Sequence, residues 1–438
     1  MLLKRDSKYV YSNMKFKSIY KIGLFVIFFC GQWSLSAKEI QPALLVYGSG
    51  IEAFTAAIQS ARSNVPTLWV METHSLVEEL TLRPLKIKDN AGLDGGIWMD
   101  LLMGVALNKG VNDSLAQLVK TDINPTLMLN AMEKIIGRES QLTIIRNQHV
   151  ESLIRDKKTW TVILENKKKY EVRAIVDASS HADLQGKVVK SSVILADVHL
   201  KRTETLTLEQ IRTTVALAEY QDTSYTLLVK DLLSQNFQEL FFIKSLVPES
   251  KDAESIPFRA HVGQAVGALA AYCAFFKTTG DKVNVRKLQT ELMTYGARLL
   301  PWKDVSIRDP NYMAIQKCYL ATVLEGKDGN RTFDREDSIK VASIQPIFNK
   351  LYSRAQLWFL DNKMEYFSLK DLLSFVQFLS FRGNEVESQV QKDWTKKLKF
   401  QGEYNLEHMV NRYEFATLVN KYTDPYTKAV TIDGDIIR

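Results

Sequence analysis

The amino-acid sequence predicts an α/β fold over its first 300 residues and a helical region after them. The stretch LLVYGSGIEAF at 44–54 places an apolar strand directly before two glycines and a helix. A second apolar strand follows at 65–72, and this β-α-β order over about thirty residues indicates a parallel sheet. Strand-like segments become scarce beyond Pro301–Trp302, so we place a domain boundary there.

The composition is that of a globular protein with a large core. The chain has 438 residues, of which 46% are hydrophobic and 24% charged, enough for two or three domains. No basic stripe indicates a nucleic-acid partner. Cys273 and Cys318 lie in apolar, helical contexts, so we interpret them as core thiols and not as a disulfide. No Cys/His cluster predicts a metal site.

Residues 1–37 have the pattern of a signal peptide, with Met14 as a plausible true start. Three lysines precede the apolar run 22–30, and small residues follow as far as Ala37, where we expect cleavage. The run is too short to favour a membrane span, and an uncleaved anchor is the alternative. Six basic residues and one acidic residue leave with this segment, which lowers the net charge from +7 to +2. The mature protein is expected to be secreted, in the periplasm or outside the cell.

Hydrophobic periodicity predicts the elements of residues 38–300 in order. Strands are expected at 42–48, 65–72, 141–146, 149–156, 159–165 and 170–178, and helices at 51–63, about 126–137, 261–277 and 284–298. Strands and a helix are expected over 190–245, including the amphipathic TLEQIRTTVALAEY at 207–220, and they form a cap inserted around 190–250. Residues 301–438 are predicted to be mostly helical.

The glycines after the first strand have the spacing of a phosphate-binding turn, G-x-G-x-x-(G/A). Gly48 permits the tight turn, Gly50 lets the backbone approach a pyrophosphate, and Ala53 lets the helix pack closely. The helix N-terminus offers free N–H groups and a partial positive charge to a phosphate. Glu72 ends the second strand, where a carboxylate would accept hydrogen bonds from an adenosine ribose. The alternative is a glycine turn with no ligand.

Three segments together resemble the FAD-dependent oxidoreductases of the glutathione-reductase type. They are most similar to a secreted bacterial branch often labelled xanthan lyase. YGSGIEAFTAAIQSAR at 47–62 resembles the opening cradle of that family, and AIVDASSHADLQGK at 174–187 resembles its V-I-D-A-T-x-x-G-D-L strand and turn. IPFRAHVGQAVGALAAYCAFFKTTG at 256–280 resembles its closing flavin helix. Without the resemblance, the two glycines four residues apart in this helix indicate a close approach of a backbone or a flat ring.

The resemblance implies a Rossmann-type domain over 38–300, with FAD as the cofactor. It implies an oxidoreductase acting on a small organic or sugar-derived substrate. In the implied site, the pyrophosphate is held by Gly48, Ser49, Gly50 and Ala53, the ribose by Glu72, and the adenine by the backbone near Val150, while Asp177 lies close to the dinucleotide. The flavin would be approached by Arg259, Gly263 and Gln264. Arg259 and His261 are the catalytic candidates, because a cation or donor there could stabilise negative charge on the reduced ring.

The chain departs from the family pattern after Glu72. Where the family has Leu-Gly-Gly, this sequence has Val77, Glu78 and Glu79. Two unit charges ~4 Å apart cost roughly 4 kcal/mol at an effective dielectric near 20, so inward-facing glutamates would oppose a diphosphate. Either the glutamates turn outward, or GLDGG at 92–96 takes over the role of the glycines.

Two other classes of function stay open beside the flavoenzyme. The first is a non-catalytic relative that keeps the fold, binds FAD weakly or not at all, and serves as a binding or partner subunit. The second is a hydrolase or lyase that uses carboxylates or histidine. None of the six histidines lies in a Ser-His-Asp, HExxH or nucleophile-elbow motif, which leaves this class the least support. His181, in the turn after Asp177, is a weaker histidine candidate than His261.

Two segments of the C-terminal region resemble a surface-layer-homology module. DVSIRDPNYMAIQKCYLATVLEG at 304–326 is similar to its half repeat, and NRYEFATLVNKY at 411–422 is similar to its ending. This resemblance implies docking to an envelope component or packing against the first domain. The alternative is a plain amphipathic helical bundle.

Overall fold

The computed structural model of this chain describes residues 41–87 and 93–437. The predicted signal peptide and the first glycine of GLDGG lie outside these ranges. Among the described helices, none is both long and apolar enough to cross a membrane. Cys273 and Cys318 are buried and unpaired, as predicted.

Twelve strands are named within the described residues. They are β1 (Leu44–Tyr47), β2 (Thr67–Val70), β3 (Leu142–Ile145), β4 (Val150–Asp156), β5 (Thr159–Leu164), β6 (Lys169–Val172), β7 (Ala174–Asp177), β8 (Lys201–Arg202), β9 (Thr214–Tyr220), β10 (Thr223–Leu228), β11 (Asn236–Phe237) and β12 (Leu240–Phe242).

The α-helices of the described residues fall on both sides of Pro301. Those before it are α1 (Ile51–Arg62), α2 (Glu78–Thr81), α3 (Gly96–Val105), α4 (Asp113–Lys120), α5 (Pro125–Ile136), α6 (Leu208–Arg212), α7 (Val229–Ser234), α8 (Ile256–Phe276) and α9 (Val285–Thr294). Those after it are α10 (Tyr312–Leu320), α11 (Val341–Leu351), α12 (Ala355–Asp361), α13 (Leu369–Ser380), α14 (Glu385–Asp393) and α15 (Arg412–Thr423).

A six-stranded sheet in the order β11-β12-β7-β1-β2-β3 forms the centre of the first 300 residues. All pairings in it are parallel except that of the edge strand β11, and β1, β2 and β7 are buried along their whole length. The chain proceeds from β1 to β2 on one side and returns through β7 on the other. Ligands of open α/β sheets bind at such a reversal, outside the carboxyl ends of the strands. The predicted α/β, Rossmann-type fold class with a helical C-terminal region is confirmed.

Helices α1 and α8 pack against each other with their backbones in close approach. A Cβ atom added to Gly263 would lie 2.3 Å from the Glu52 carbonyl oxygen, and one on Gly267 would lie 2.5 Å from the Ala56 carbonyl oxygen. The partner of the two glycines is therefore the backbone of α1. Helix α8 begins earlier than predicted because Pro257 lies in its first turn, where a missing N–H costs nothing.

Two predicted elements differ from the structure. The single strand expected at 170–178 is divided at Arg173 into β6 and β7, which belong to different sheets. The amphipathic segment 207–220 is helical only in α6 and continues as β9, which pairs with β10 in the three-stranded sheet β8-β10-β9. A capping box between Thr207 and Gln210 starts the helix, and the β-branched run from Thr213 to Val215 favours the strand.

Beyond Pro301, every named element of the described chain is helical. These helices surround a core of their own that is rich in aromatic side chains, including Trp302, Trp358, Phe367, Phe375 and Phe415. Single β-bridges join the segments that precede α11, α13 and α15, namely Ser338 with Asn411, Lys340 with Tyr366, and Ser368 with Met409. Each of the three segments pairs with both of the others, so α11, α13 and α15 begin next to one another. The envelope-docking module stays a prediction, as does the domain boundary near Pro301.

Candidate functional site

Gly48 forms the turn that leaves β1. Its φ of +131° lies in a region that side chains rarely adopt, and a Cβ there would lie 2.6 Å from the carbonyl oxygen of Ala178, just after β7. The indole N–H of Trp69 donates to the Gly48 carbonyl oxygen at 2.9 Å. The turn is therefore held between the carboxyl ends of β2 and β7, at the reversal of the strand order.

The N-cap residue of α1 provides no side-chain cap to the helix. Gly50 is the N-cap residue, and the Ser49 hydroxyl is directed at the end of β2, where it accepts hydrogen bonds from the N–H groups of Glu72 at 3.0 Å and Thr73 at 3.2 Å. Ala53 is fully buried, which lets the helix lie close to the sheet. The first N–H groups of the helix are thus placed to bind an anion.

The carboxylate of Glu79 binds at this helix N-terminus. Its Oε1 accepts a hydrogen bond from the Ile51 N–H at 3.1 Å. Arg259 of α8 donates to both oxygens, from Nη1 to Oε2 at 2.6 Å and from Nη2 to Oε1 at 2.8 Å. We call the Ile51 N–H together with the Arg259 guanidinium the anion seat. Glu78 is exposed, so one of the two glutamates turns outward and the other inward.

A second carboxylate, Glu52, completes the charges around Arg259. It accepts from Arg259 Nη2 at 2.7 Å and from Lys251 Nζ at 3.4 Å, and the side chains of Arg259 and Glu52 are 1% and 3% exposed. Burial opposes ionisation of Glu52, but Arg259 and then Lys251 outweigh it and hold its pKa below the ordinary value. Burial also opposes the charge of Arg259, and Glu52 and Glu79 more than offset this and raise its pKa. The group is therefore two cations balanced by two carboxylates.

Glu72, the predicted ribose ligand, lies in a separate polar cluster at the end of β2. Burial raises the pKa of Glu72, and the hydrogen bond and negative charge of Asp183 raise it further. The Tyr47 hydroxyl lies 3.3 Å from His149 Nδ1, and burial together with the negative charge of Glu72 raises the pKa of Tyr47. Val150, the predicted neighbour of the adenine, follows His149 in the chain, begins β4 and is 1% exposed. The structure thus brings Glu72 together with Tyr47 and Asp183.

Asp177 ends β7 and fixes the turn that follows it. Its Oδ1 accepts from the Ser179 N–H at 3.0 Å and from the Ser179 hydroxyl at 2.6 Å, while Oδ2 accepts from the Leu184 N–H at 2.9 Å. Burial raises its pKa to about 7 in spite of these bonds. Asp177 therefore fixes the backbone of the turn that follows β7, whose first residues lie against Gly48.

His261 is directed to β9 and not to the anion seat. Its Nδ1 donates to the Leu217 carbonyl oxygen at 2.8 Å, since a carbonyl can only accept. Burial lowers its pKa and outweighs the attraction of the Asp94 carboxylate, so the imidazole is neutral at neutral pH. The structure therefore does not bring the two catalytic candidates, Arg259 and His261, to one point.

Gln264 joins three elements through its amide. Its Oε1 accepts from the Ile97 N–H of α3 at 3.2 Å, and its Nε2 donates to Gln59 Oε1 of α1 at 2.9 Å. Gly263 lies against the α1 backbone, as described above. Both positions are explained by helix packing, and their predicted approach to a flavin stays a prediction.

A crevice of about 730 Å³ opens beside Glu52, between the turn after β7, the segment after β12 and residues 197–200. Its polar lining includes Ser179, Ser180, His181, His199, Lys244 and Lys251. The Lys251 ammonium donates to Ser180 Oγ at 2.7 Å as well as to Glu52. The crevice therefore adjoins the group that surrounds Arg259.

Residues 43–187 match the family model described as FAD dependent oxidoreductase. The match covers about a third of the chain and runs from the start of β1 past the turn that follows β7. It supports the predicted family and the predicted cofactor, FAD. No curated protein matches the chain.

Solved structures with local similarity include two reductases and one FAD-bound protein. The bacillithiol disulfide reductase Bdr of Staphylococcus aureus is 16% identical, with a TM-score of 0.23, over 32% of this chain and 38% of its own. The FAD-bound form of OTEMO is 13% identical, with a TM-score of 0.22, over 32% of this chain and 26% of its own. Thioredoxin reductase of Lactococcus lactis is 16% identical, with a TM-score of 0.20, over 32% of this chain and 36% of its own. The chain spans well under half of each, and similarities this slight do not bear on its activity.

Sequence reasoning missed the roles of Glu52 and Lys251 beside Arg259. It placed Glu79 in the loop that faces a phosphate but left its direction open. The only signal in the sequence was the substitution of Glu-Glu for Gly-Gly, since the ion pair joins residues 180 positions apart.

Proposed function

We propose that this protein is a secreted FAD-dependent oxidoreductase-like protein that acts on a small organic or sugar-derived substrate. The observation that carries the proposal is the glycine turn at residues 48–50, which we call the cradle. Gly48 lies against Ala178 at the end of β7, and the Ile51 N–H at the start of α1 donates to the Glu79 carboxylate. The family match over this same segment supports it.

The backbone of the cradle fits a dinucleotide. Gly48 and Gly50 would let the pyrophosphate approach the start of α1, where the Ile51 N–H and Arg259, which donate to Glu79, would donate to it instead. The cluster around Glu72 would hold the adenosine ribose. FAD, when bound, would supply the redox chemistry, and the chain's own groups would bind and orient the reactants.

The crevice beside Glu52 is the proposed substrate site. Its hydroxyl and imidazole groups can donate hydrogen bonds to the hydroxyls of a sugar-derived molecule and accept hydrogen bonds from them, and its ammonium groups can donate. Residues 197–200, within the predicted cap, line one side of it and would restrict the entry of water. Lys251 links this crevice to the carboxylates around Arg259.

A second candidate is the non-catalytic relative that keeps the fold and serves as a binding or partner subunit. The observation that favours it is the carboxylate of Glu79 in the anion seat, bound by the same donors that a phosphate would use. In this candidate FAD binds weakly or not at all. The C-terminal region would then supply the function by docking to an envelope component.

One absorption experiment separates the two candidates. The purified full chain is incubated with FAD and dialysed, and its visible spectrum is compared with that of free FAD. Retention of a flavin band after dialysis supports the oxidoreductase. A folded, colourless protein contradicts it and favours the partner subunit. N-terminal sequencing of the exported protein tests secretion, which predicts a new terminus just after Ala37.

A further inference from the structure

The anion seat has the geometry of a phosphate site whose ligand is supplied by the protein itself. The guanidinium of Arg259 meets the Glu79 carboxylate through two parallel hydrogen bonds, the fork that arginine presents to carboxylates and phosphates alike. The Ile51 N–H adds a backbone donor from the first turn of a twelve-residue helix. Arg259 is only 1% exposed, and it and the Ile51 N–H donate to the same carboxylate.

The charges around the seat are balanced when it holds one anion. Arg259 and Lys251 are already balanced by Glu52 and Glu79, so a diphosphate added beside them would face two carboxylates without a further cation in the group. If the Glu79 carboxylate leaves, Arg259 exchanges one anion for another and stays paired. A phosphate and Glu79 therefore compete for the same donors.

The Glu79 side chain is able to leave without unfolding its surroundings. It is 26% exposed, whereas its neighbours Val77 and Leu80 are fully buried and anchor the turn of α2. Val77 has φ of +40°, a left-handed conformation that a β-branched residue rarely adopts and that glycine would adopt freely. The chain thus holds a carboxylate at the seat by means of a turn that favours glycine.

We infer that Glu79 is an internal occupant of the phosphate seat and that a diphosphate binds there only by replacing its carboxylate. This inference deepens the proposed function, on which it rests for the identity of FAD as the diphosphate. It makes Glu79 the residue that sets the affinity of the cradle.

The test measures the binding of FAD and of inorganic pyrophosphate to the full chain by isothermal titration calorimetry. Glu79→Gln removes the charge and keeps the volume, and Glu79→Asp keeps the charge but shortens its reach. Glu78→Gln is the matched control, since Glu78 lies on the same turn and is exposed. We expect both ligands to bind at least about tenfold more tightly to Glu79→Gln than to the wild type, because a like charge opposes the diphosphate. Glu79→Asp is expected to lie between them, and Glu78→Gln to match the wild type.

Equal affinities of the wild type and both Glu79 variants would overturn the inference. If the wild type retains FAD on purification and the variants bind it no more tightly, the inference fails while the flavoenzyme stands. If the variants gain pyrophosphate binding but not FAD binding, the inference stands and the flavoenzyme fails. Circular dichroism melts confirm that each variant is folded, and Glu79→Asp provides the comparison if Glu79→Gln is not.

Discussion

Replacement of Arg259 by glutamine is expected to destabilise the protein strongly. Among the described residues, the change removes the one charge that lies within 3 Å of Glu52, whose side chain is 3% exposed. Breaking a buried ion pair by removing one partner costs about 3–5 kcal/mol. Lys251 stays 3.4 Å from Glu52 and is 36% exposed, so we expect a loss of roughly 2–4 kcal/mol in the free energy of unfolding.

The pH dependence gives the sign of the effect. In the wild type, the pKa of Glu52 is lowered, so its contribution is present above the ordinary value of 4.5 and is lost only as the pH falls through the lowered value. In Arg259→Gln the burial of Glu52 remains without its main cation, so its pKa should rise. The carboxylate then takes up a proton as the pH falls, and the difference in stability between variant and wild type should shrink toward about pH 5.

The assay is denaturant unfolding followed by circular dichroism and tryptophan fluorescence, at neutral and mildly acidic pH. Arg331→Gln is the control, because Arg331 is 53% exposed and pairs with Glu204 on the surface. Its loss of stability should be small and the same at both pH values, because solvent screens an exposed pair. A loss of similar size in the two variants, or a difference for Arg259→Gln that does not shrink on acidification, would refute the reasoning.

Three further outcomes test the packing, the turn and the C-terminal region. Gly263→Ala should lower the free energy of unfolding by about 2–3 kcal/mol, because its Cβ would lie 2.3 Å from the α1 backbone. The control Gly186→Ala, where no atom lies within 4 Å of the added Cβ, should change it by less than about 0.5 kcal/mol. Equal thermal melts of the two variants would contradict this. Asp177→Asn should flatten the pH dependence of stability. Burial raises the pKa of Asp177 to about 7, so the stability that its protonated form contributes to the wild type is lost as the pH rises through that value. An unchanged slope of stability against pH, measured by denaturation at several pH values, would count against this. Ser368→Ala removes a capping box that starts α13 and should lower the melting temperature through a loss of about 1 kcal/mol, and an unchanged melt would show that the cap contributes nothing.

The sequence predicted the central β-α-β unit closely. Strands β1 and β2 and helix α1 lie within the predicted ranges because continuous apolar runs and a small-residue helix are local patterns. The prediction failed where one continuous strand-like pattern spans two different sheets. The alternation at 170–178 looks like one strand, yet β6 joins a small antiparallel sheet and β7 joins the main sheet, and sheet membership is decided by distant partners.

The candidate site was predictable in its backbone and not in its side chains. Glycine spacing predicted the turn at Gly48, because φ of +131° needs that residue type. The direction of Glu79 depends on Arg259, which comes from α8 late in the domain. Likewise, the two glycines of α8 predicted a close approach, but only packing decided that the partner is the backbone of α1.

The sequence by itself determined the α/β class, the glycine turn and the order of the elements, because these follow from periodicity and from the conformations that single residues allow. The tertiary structure decided which groups meet. It placed Glu79 and Arg259 together at the start of α1 and His261 against β9, since side chains far apart in the chain become neighbours only when the sheet and helices pack.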